Sequence, residues 1–508
     1  TTWGGRDPPV EGDLAVIPPG ATVVLDVSPP KLAALVVSEG SKLEFLDYGR
    51  EASGAKKHLR LDAHYILVNG GTFQIGTESE PYLGLATVTL HGTPTDTELP
   101  MYGAKVLACR RCTLDLHGMP TLQTWTRLSA TAWDNSTRLH LQQKVDWAVG
   151  SDIVVSSTDH VKEHAEVVTV VAVEDDGKTV VFAPPLQWSH QGETLGPFYD
   201  DGTDRNTALE DPNKFIEVRA EVGLLSRNVV VQGDELSVPW QFGATIMMFS
   251  PGDESLTGRL ENIEVRRAGQ AHRLGRYPIH FHMIGTVRNS YCRSNSVHTT
   301  FNRAVTIHGV HYLRVQRNVA YNIMGHTYFI EDAIETKNVI EYNLGVLTRR
   351  SFALLNTDAT PATFWITNPD NIVRHNAAAG SDNYGFWYRA ETHVTGASAG
   401  SAAALKTCPK GVPLLEFTNN TAHSNGRYGL RIYDEYFPKP NPCGNHNKDS
   451  NPYVAAAFRN FVTYRNKVSG VQVSRVAHLV LERFKIADCL HTGIEWPGAQ
   501  GGVLLGPW

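Results

Sequence analysis

Two histidines stand one residue apart in the segment Pro278-Ile-His-Phe-His282. Successive side chains of a β-strand point to opposite faces, so His280 and His282 would share one face while Ile279 and Phe281 occupy the other. Paired imidazoles bind divalent metal ions, and they also transfer protons in hydrolytic reactions. The alternative is a solvated pair on the surface of a strand, and the spacing alone leaves that alternative open.

Two similar segments downstream extend this pair into a cluster. Ala304-Val-Thr-Ile-His308 and Thr327-Tyr-Phe-Ile-Glu331 begin 23 residues apart and share the same alternation of apolar residues. If they are strands on neighbouring coils of a solenoid, equivalent positions stack about 4.8 Å apart. His282, His308 and Glu331 would then form one outward-facing column, with His280 beside Thr306.

The chemistry of this cluster has two versions. With a divalent metal ion, zinc or calcium, imidazoles supply the ligands. Without a metal, neutral imidazoles near arginines suit a general base, and a carboxyl group whose pKa is raised by burial supplies the proton. The predicted metal ligands are His280, His282, His308 and His326. The predicted catalytic residues are His280, His282, Glu331, Asp332 and Arg276.

The surroundings of the cluster are rich in basic residues. Residues 258–350 hold seven of the 21 histidines and 13 Lys or Arg against six Asp or Glu. A basic groove would attract an acidic polysaccharide. We expect Arg303, Arg389 and Trp387 to bind such a substrate, Trp387 by stacking on a sugar ring, although half-buried packing explains this tryptophan equally well. In a lyase, Arg276 or Arg303 could remove a proton beside a calcium ion.

A repeat indicates the elements that would position these residues. Helical periodicity is nearly absent, and short apolar strands recur with a period of about 22 residues in the second half of the chain. A second set of strands ends in asparagine each time, at Asn318, Asn343, Asn376 and Asn420. Asparagines stacked in this way can hydrogen-bond along a ladder. The pattern favours a parallel β-helix over a leucine-rich repeat, because the Leu-x-x-Leu-x-Leu signature is missing.

Composition restricts the function and the compartment. A net charge of −6 argues against a general nucleic-acid binder. The sequence contains no run of 18 apolar residues, so it predicts no membrane span. No signal peptide is visible at Thr1. The single Cys109-x-x-Cys112 argues against a four-thiolate zinc site, whereas Cys408 and Cys443 could form a disulfide. With the glycosylation acceptors at Asn135 and Asn419, these features favour an extracellular or cell-surface location.

Several ordered motifs resemble known proteins. Trp3-Gly-Gly-Arg-Asp-Pro-Pro and Ala63-His-Tyr-Ile-Leu-Val-Asn-Gly-Gly71 resemble a G8 domain. Gly275-Arg-Tyr-Pro-Ile-His-Phe-His282, Gly325-His-Thr-Tyr-Phe-Ile-Glu-Asp332 and Thr363-Phe-Trp-Ile-Thr-Asn-Pro369 resemble the cell-surface and secreted hyaluronidases and the fibrocystin-like proteins. Ala333-Ile334 departs from the Gly-Pro that the hyaluronidases tend to have after Glu-Asp.

The resemblance implies an all-β chain in which a G8-like β-rich domain precedes a right-handed parallel β-helix. The expected division is 1–120 for the G8-like domain, 121–255 for a β-rich connecting region and 256–508 for the helix. The expected function is an extracellular hydrolase that cleaves an acidic polysaccharide such as hyaluronan. The alternatives are a non-catalytic fibrocystin-like adhesion or assembly ectodomain, and a β-helix polysaccharide lyase.

Overall fold

The computed structural model describes residues 7–50, 57–198, 214–353, 356–496 and 503–505. These residues form a right-handed parallel β-helix with three faces, which confirms the predicted fold class. Inward side chains alternate with outward ones along each strand, so that the apolar residues of successive coils join into one continuous core. The opening of the G8-like motif at residues 3–6 lies outside the described residues.

Three strands of the opening coils precede faces A and B, and only the last of them spans both faces. They are Leu14–Ile17, Leu32–Val37 and His58–Asn69. His58–Asn69 pairs through its first half with the start of face A and through its second half with the start of face B.

Face A and face B each consist of ten further strands that pair in parallel. Face A contains Leu85–Leu90, Val229–Gly233, Ile263–Ala268, Ser296–Thr300, Val319–Met324, Leu344–Arg349, Ala377–Ser381, Thr421–His423, Val462–Tyr464 and Lys485–Ala487. Face B contains Val106–Arg110, Thr245–Phe249, Ile279–Thr286, Val305–His311, Tyr328–Ile330, Ala362–Ile366, Tyr384–Tyr388, Tyr428–Ile432, Ser469–Val473 and Thr492–Glu495.

Face C is a separate parallel sheet of 13 strands. It contains Thr22–Leu25, Lys42–Phe45, Thr72–Ile75, Thr113–His117, Thr257–Glu261, Tyr291–Arg293, Arg314–Gln316, Val339–Glu341, Ile372–Arg374, Glu416–Thr418, Ala456–Arg459, Leu479–Glu482 and Val503–Leu505. The strands with terminal asparagines lie here, and the predicted ladder is confirmed. The amide of Asn318 donates to Asn343 at 2.9 Å, that of Asn343 to Asn376 at 3.0 Å, and that of Asn376 to Asn420 at 3.1 Å.

An antiparallel sheet of six strands interrupts the coils, and we call it the insert. Its strands are Trp125–Arg127, Arg138–His140, Asp152–Val155, Glu166–Glu174, Thr179–Ala183 and Glu221–Leu224. It has a core of its own and packs on face A through an apolar cluster that includes Val154, Leu225, Val319 and Leu344. The insert begins near the expected boundary at residue 120. The expected boundary at residue 255 coincides with no change of fold, because Val229–Gly233 and Thr245–Phe249 are already strands of faces A and B.

Helical segments are few and short. The one α-helical turn among the described residues is Ser237–Trp240, and the 3₁₀ turns are Tyr48–Arg50, Lys162–His164, Asp175–Gly177, Asn356–Ala359, Gly396–Ser398, Ala404–Lys406 and Pro409–Gly411. None of these segments is long and apolar enough to cross a membrane. Disulfides join Cys109 to Cys112 and Cys408 to Cys443, while Cys292 and Cys489 are free thiols.

Candidate metal centre

Three neighbouring strands of face B bring the predicted cluster together. In the register of Ile279–Thr286 with Val305–His311, His280 pairs with Thr306 and His282 pairs with His308. In the next pairing Ile307 lies opposite Ile330, so Glu331 follows on the coil beyond His308. The inward residues Ile279, Phe281 and Ile307 are buried in the core and fix the direction of the histidines.

Three imidazole nitrogens converge at one point of this face. Nδ1 of His308 lies 3.0 Å from Nδ1 of His282 and 3.3 Å from Nε2 of His280. One nitrogen from each ring lies within 4.8 Å of the other two, as the ligands of a single metal ion do. A single proton on His308 Nδ1 could satisfy only one of the two contacts, whereas a shared cation satisfies both.

In two of these histidines, the ring nitrogen that faces away from the common point has a protein partner. Nδ1 of His280 lies 3.0 Å from the carbonyl oxygen of Gly275, and a carbonyl can only accept, so this nitrogen carries the hydrogen. Nε2 of His308 lies 2.8 Å from Oδ2 of Asp332. Both rings therefore direct a lone pair toward the common point. Such outer partners orient metal-binding histidines in proteins.

Glu331 is oriented toward the same point. Its Oε1 accepts a hydrogen bond from the hydroxyl of Tyr277 at 3.1 Å and lies 3.6 Å from the guanidinium of Arg303. Its Oε2 is buried without a hydrogen-bond partner and lies 3.2 Å from His308 Nδ1 and 4.0 Å from His280 Nε2. A buried carboxylate oxygen without a partner is costly, and a bound cation would remove that cost.

The pKa values of the three imidazoles diverge. Burial, followed by the positive charge of the neighbouring rings, lowers the pKa of His280 well below its usual range, and burial and His308 lower the pKa of His282 to about 3. Burial also opposes protonation of His308, but its hydrogen bond to Asp332 and the charge of Glu331 outweigh burial and raise the pKa to about 9. His280 and His282 are therefore in the neutral form that binds metal ions, whereas a metal ion at His308 would have to displace a proton.

Loops from distant parts of the chain cover the cluster. The backbone N–H of Ser398 donates to Oδ2 of Asp332 at 2.8 Å, and that of Thr395 donates to the Asp332 carbonyl at 2.9 Å. Gly396 has φ +60°, and a side chain there would collide with the Asp332 carboxylate. His308 is 6% exposed, and His280, which contacts the carbonyl of Gly275 and the ring of Tyr277, is only 1% exposed. The cluster points away from the core as predicted, but only His282 and Glu331 keep part of their surface open.

Arg303 and His326 do not have the roles predicted for them. Arg303 is fully buried and forms a double hydrogen bond with Asp358, at 3.1 and 2.7 Å, so it positions Tyr277 and Glu331 and has no surface for substrate. The ring of His326 is buried between Phe329 and Trp365, and its Nδ1 accepts the N–H of Ala362, so the structure does not bring it into the cluster.

Arg276, Trp387 and Arg389 are also occupied by protein partners. Arg276 is at the edge of the cluster, where it donates to the Met101 carbonyl and to Glu98. Trp387 is 4% exposed, donates to the Tyr433 carbonyl and has the Arg431 guanidinium 4.4 Å from its ring, so the half-buried alternative fits it better than sugar stacking. Arg389 forms a partly exposed ion pair with Glu391 at 3.5 Å.

The expected basic groove is not present among the described residues, because carboxylates from other coils neutralise the arginines. Eight of the twelve arginines of residues 258–350 form ion pairs with carboxylates, namely Arg259, Arg266, Arg267, Arg273, Arg276, Arg293, Arg303 and Arg350. The charge count over residues 258–350 included Glu261 and Glu264 but missed the other partners, such as Asp115, Glu98 and Asp358, because they lie outside that segment.

Sequence reasoning also missed several supporting residues. Tyr277, Asp358 and Ser398 hold Glu331, Arg303 and Asp332 in place, but only the folded chain brings them together. Glu335 is fully buried, and its Oε1 accepts the N–H groups of Gly309 and Asp332 at 2.8 and 3.1 Å. Burial raises the pKa of Glu335 to about 7. The sequence places Glu335 just past the strand that precedes Glu331, but it does not predict that the carboxyl group is buried.

Comparison with known proteins agrees with this architecture. The family model for the G8 domain matches residues 2–129, and the model for the CEMIP beta-helix matches residues 241–430. The chain therefore belongs to the proteins that combine a G8 domain with a parallel β-helix of this type. Within that class it is similar to Fibrocystin-L of Homo sapiens and of Mus musculus, each 40% identical over 97% of this chain.

The chain spans only 12% of the length of either Fibrocystin-L. Communication mutant protein F of Dictyostelium discoideum is 28% identical over 85% of this chain and 38% of its own length. Among solved structures, the Gp54 tailspike of Acinetobacter baumannii bacteriophage AP22 aligns with 91% of this chain and 71% of its own, at 10% identity and a TM-score of 0.21. That score is too low to support any conclusion about function.

Proposed function

We propose that His280, His282 and His308, together with Glu331, bind one divalent metal ion, and that zinc is preferred over calcium. The observation that carries this proposal is the convergence of three imidazole nitrogens within 4.8 Å of one another. Zinc accepts imidazole nitrogen and carboxylate oxygen in four-coordinate sites, whereas calcium takes six to eight oxygen ligands. The unpartnered Oε2 of Glu331 fits the role of a carboxylate ligand.

We further propose that the centre serves an extracellular hydrolase that acts on an acidic polysaccharide such as hyaluronan. Support comes from the resemblance of the motifs around His280 and Glu331 to the cell-surface hyaluronidases. Two disulfides and two exposed glycosylation acceptors, Asn135 and Asn419, fit an oxidising, extracellular location.

Each residue around the proposed metal ion has a distinct role. A zinc ion in such a site lowers the pKa of a bound water molecule toward neutrality. Asp332 holds the His308 tautomer, Tyr277 and Arg303 orient Glu331, and the loop at Ser398 excludes water from that side. A substrate would approach from the side of His282, which keeps partial exposure.

The test is product analysis with hyaluronan and the zinc-loaded chain. Hydrolysis predicts shorter chains with new reducing ends and no ultraviolet-absorbing unsaturated ends. Glu331→Gln should abolish the products while the circular dichroism spectrum stays unchanged, and His311→Ala, a change on the same strand as His308, should retain them. Unsaturated ends would identify a lyase instead.

The second candidate is a non-catalytic adhesion or assembly ectodomain of the fibrocystin-like kind. Two observations favour it: the arginines near the cluster are neutralised by carboxylates, and the loop at Ser398 covers His308 and Asp332. In this case the metal ion would hold three coils together. The chain would contain zinc, release no products from any acidic polysaccharide, and lose thermal stability when the metal is removed.

A further inference from the structure

Both glycosylation acceptors have an aromatic residue two positions before the asparagine. The segments are Trp133-Asp-Asn-Ser-Thr137 and Phe417-Thr-Asn-Asn-Thr421. The two segments differ in the exposure of their aromatic side chains. The side chain of Trp133 is exposed, with a fractional exposure of 66%, whereas Phe417 is 1% exposed in the core of the helix. Only the acceptor at Asn135 therefore has an exposed aromatic side chain two residues before it.

The backbone at Asn135 forms a tight turn within the insert. The N–H of Ser136 donates to the Trp133 carbonyl at 3.0 Å, and the N–H of Asn135 donates to the Leu186 carbonyl at 2.8 Å. Asn135 has φ +64°, a left-handed conformation that asparagine tolerates better than most residues. Trp133 and Asn135 are thus the first and third residues of a fixed turn, and both side chains are exposed to solvent.

We propose that Asn135 carries an N-linked glycan and that the first N-acetylglucosamine residue packs against the indole of Trp133. The amide nitrogen of Asn135 attacks the anomeric carbon of an oligosaccharide carried on a polyprenyl diphosphate. The bond between this carbon and the diphosphate oxygen breaks, the diphosphate leaves with the electron pair, and the amide loses one proton. The ligand of the Trp133 surface is therefore a sugar attached to the chain itself.

The chemistry of the two partners is complementary. A pyranose ring in the N-acetylglucosamine configuration presents an apolar face of C–H groups, and an indole presents a flat apolar face of similar size. Contact removes both surfaces from water without leaving the hydroxyl groups unsolvated, because these project from the edge of the sugar ring. The turn fixes the attachment point, so little chain entropy is lost when the sugar docks.

The acceptor at Asn419 lacks this partner. Phe417 packs against Phe386 and Phe458 in the interior, and Thr421 belongs to a strand of face A and is 8% exposed. A glycan on Asn419 would have no exposed aromatic side chain two residues before it. Asn419 therefore provides an internal comparison in the same molecule.

The experiment compares the chain secreted by a eukaryotic host with its Thr137→Ala variant. Thr137 is exposed, so its replacement removes the acceptor motif while Asn135 keeps its turn. Glycopeptide mass spectrometry measures occupancy at Asn135, and hydroxyl-radical labelling measures the reactivity of each tryptophan. Because one of the two faces of the indole would be covered, oxidation of Trp133 should be about twofold lower in the glycosylated chain. Trp240, which is 58% exposed, should react equally in both proteins.

Trimming the glycan to a single N-acetylglucosamine with an endoglycosidase tests which sugar makes the contact. Protection of Trp133 should persist after trimming, because the first sugar covers the ring. Three outcomes would overturn the proposal: an unmodified Asn135, equal oxidation of Trp133 in the occupied chain and in Thr137→Ala, or protection that disappears when only the first sugar remains.

Discussion

Glu221 of the insert forms buried contacts with the β-helix, and its replacement should make the insert open from face A more often. This carboxylate is fully buried, and its Oε2 accepts hydrogen bonds from His423 of face A at 2.9 Å and from Ser156 of the insert at 2.9 Å. Arg127 donates to Oε1 at 3.2 Å. Burial alone would raise the pKa of Glu221, but the charges of His423 and Arg127 outweigh it and lower the pKa to about 2.

The size of the effect follows from this pKa. A shift from an ordinary value near 4.5 to about 2 corresponds to about 3 kcal/mol in favour of the docked, ionised form. Glu221→Gln removes the charge and leaves Arg127 and His423 without their partner. At pH 7 the opening of the insert from face A should therefore become about a hundredfold more frequent.

Hydrogen exchange of the insert strand Asp152–Val155 and of Thr421–His423 measures this opening. Glu217→Gln is the matched control, because Glu217 lies four residues away in a partly exposed pair with Arg219. The control should exchange within about twofold of the wild type, since exposed ion pairs contribute little. Equal exchange in Glu221→Gln and the control at pH 7 would refute the reasoning.

The pH dependence gives a second check on Glu221. A carboxylate with a lowered folded-state pKa contributes its full stability above the unfolded pKa near 4.5, and this stability is lost as the pH falls through about 2. The difference in thermal stability between the wild type and Glu221→Gln should therefore shrink to less than half by pH 3. A difference that stays constant between pH 6 and pH 3 would contradict the assigned pKa.

Three further predictions concern buried polar groups of the helix. Asn343→Ala should lower the free energy of unfolding by about 2–4 kcal/mol, because it removes buried hydrogen bonds to the N–H of Asn318 and to the ladder, and denaturant unfolding measures the loss. Arg303→Met should cost about 3–5 kcal/mol by stranding a buried carboxylate, whereas Arg389→Ala should change stability by less than about 0.5 kcal/mol; equal effects would restore Arg303 as a surface residue. In metal-free protein, Glu335→Gln should gain stability over the wild type as the pH rises from 4.5 past 7. The reason is that the wild-type carboxyl group has a raised pKa of about 7 and must ionise while it is buried. Thermal unfolding measures this, and a stability difference that stays constant across that pH range would contradict the prediction.

The repeat could be recognised in the sequence because stacked coils require similar residues at equivalent positions of neighbouring coils. The 23-residue offset between Ala304 and Thr327 predicted the pairing of Val305 with Tyr328, and the terminal asparagines predicted the ladder. The column of His282 and His308 follows from the same register. These features depend only on strand alternation and on neighbouring coils, which a single sequence records.

Burial of outward residues was not readable in the same way. Trp387 and His326 face away from the core, yet other outward side chains from the next coils, such as Trp365 and Arg431, cover them. The prediction of a basic groove from the charge count was wrong for a related reason. Arg276 pairs with Glu98 and Arg303 pairs with Asp358, and both partners are distant in the sequence. Which loop covers which face is set by tertiary packing, and residue types along one strand do not encode it.

The metal content of the purified chain tests the central claim most directly. After incubation with zinc and removal of excess metal, inductively coupled plasma mass spectrometry should find one zinc ion per chain. His282→Ala should lower zinc affinity by more than about 100-fold, because it removes one of three imidazole ligands, whereas His311→Ala should bind zinc as the wild type does. A folded wild-type chain that retains no metal, or a His282→Ala variant that binds zinc with unchanged affinity, would contradict the assignment of this cluster as a metal centre.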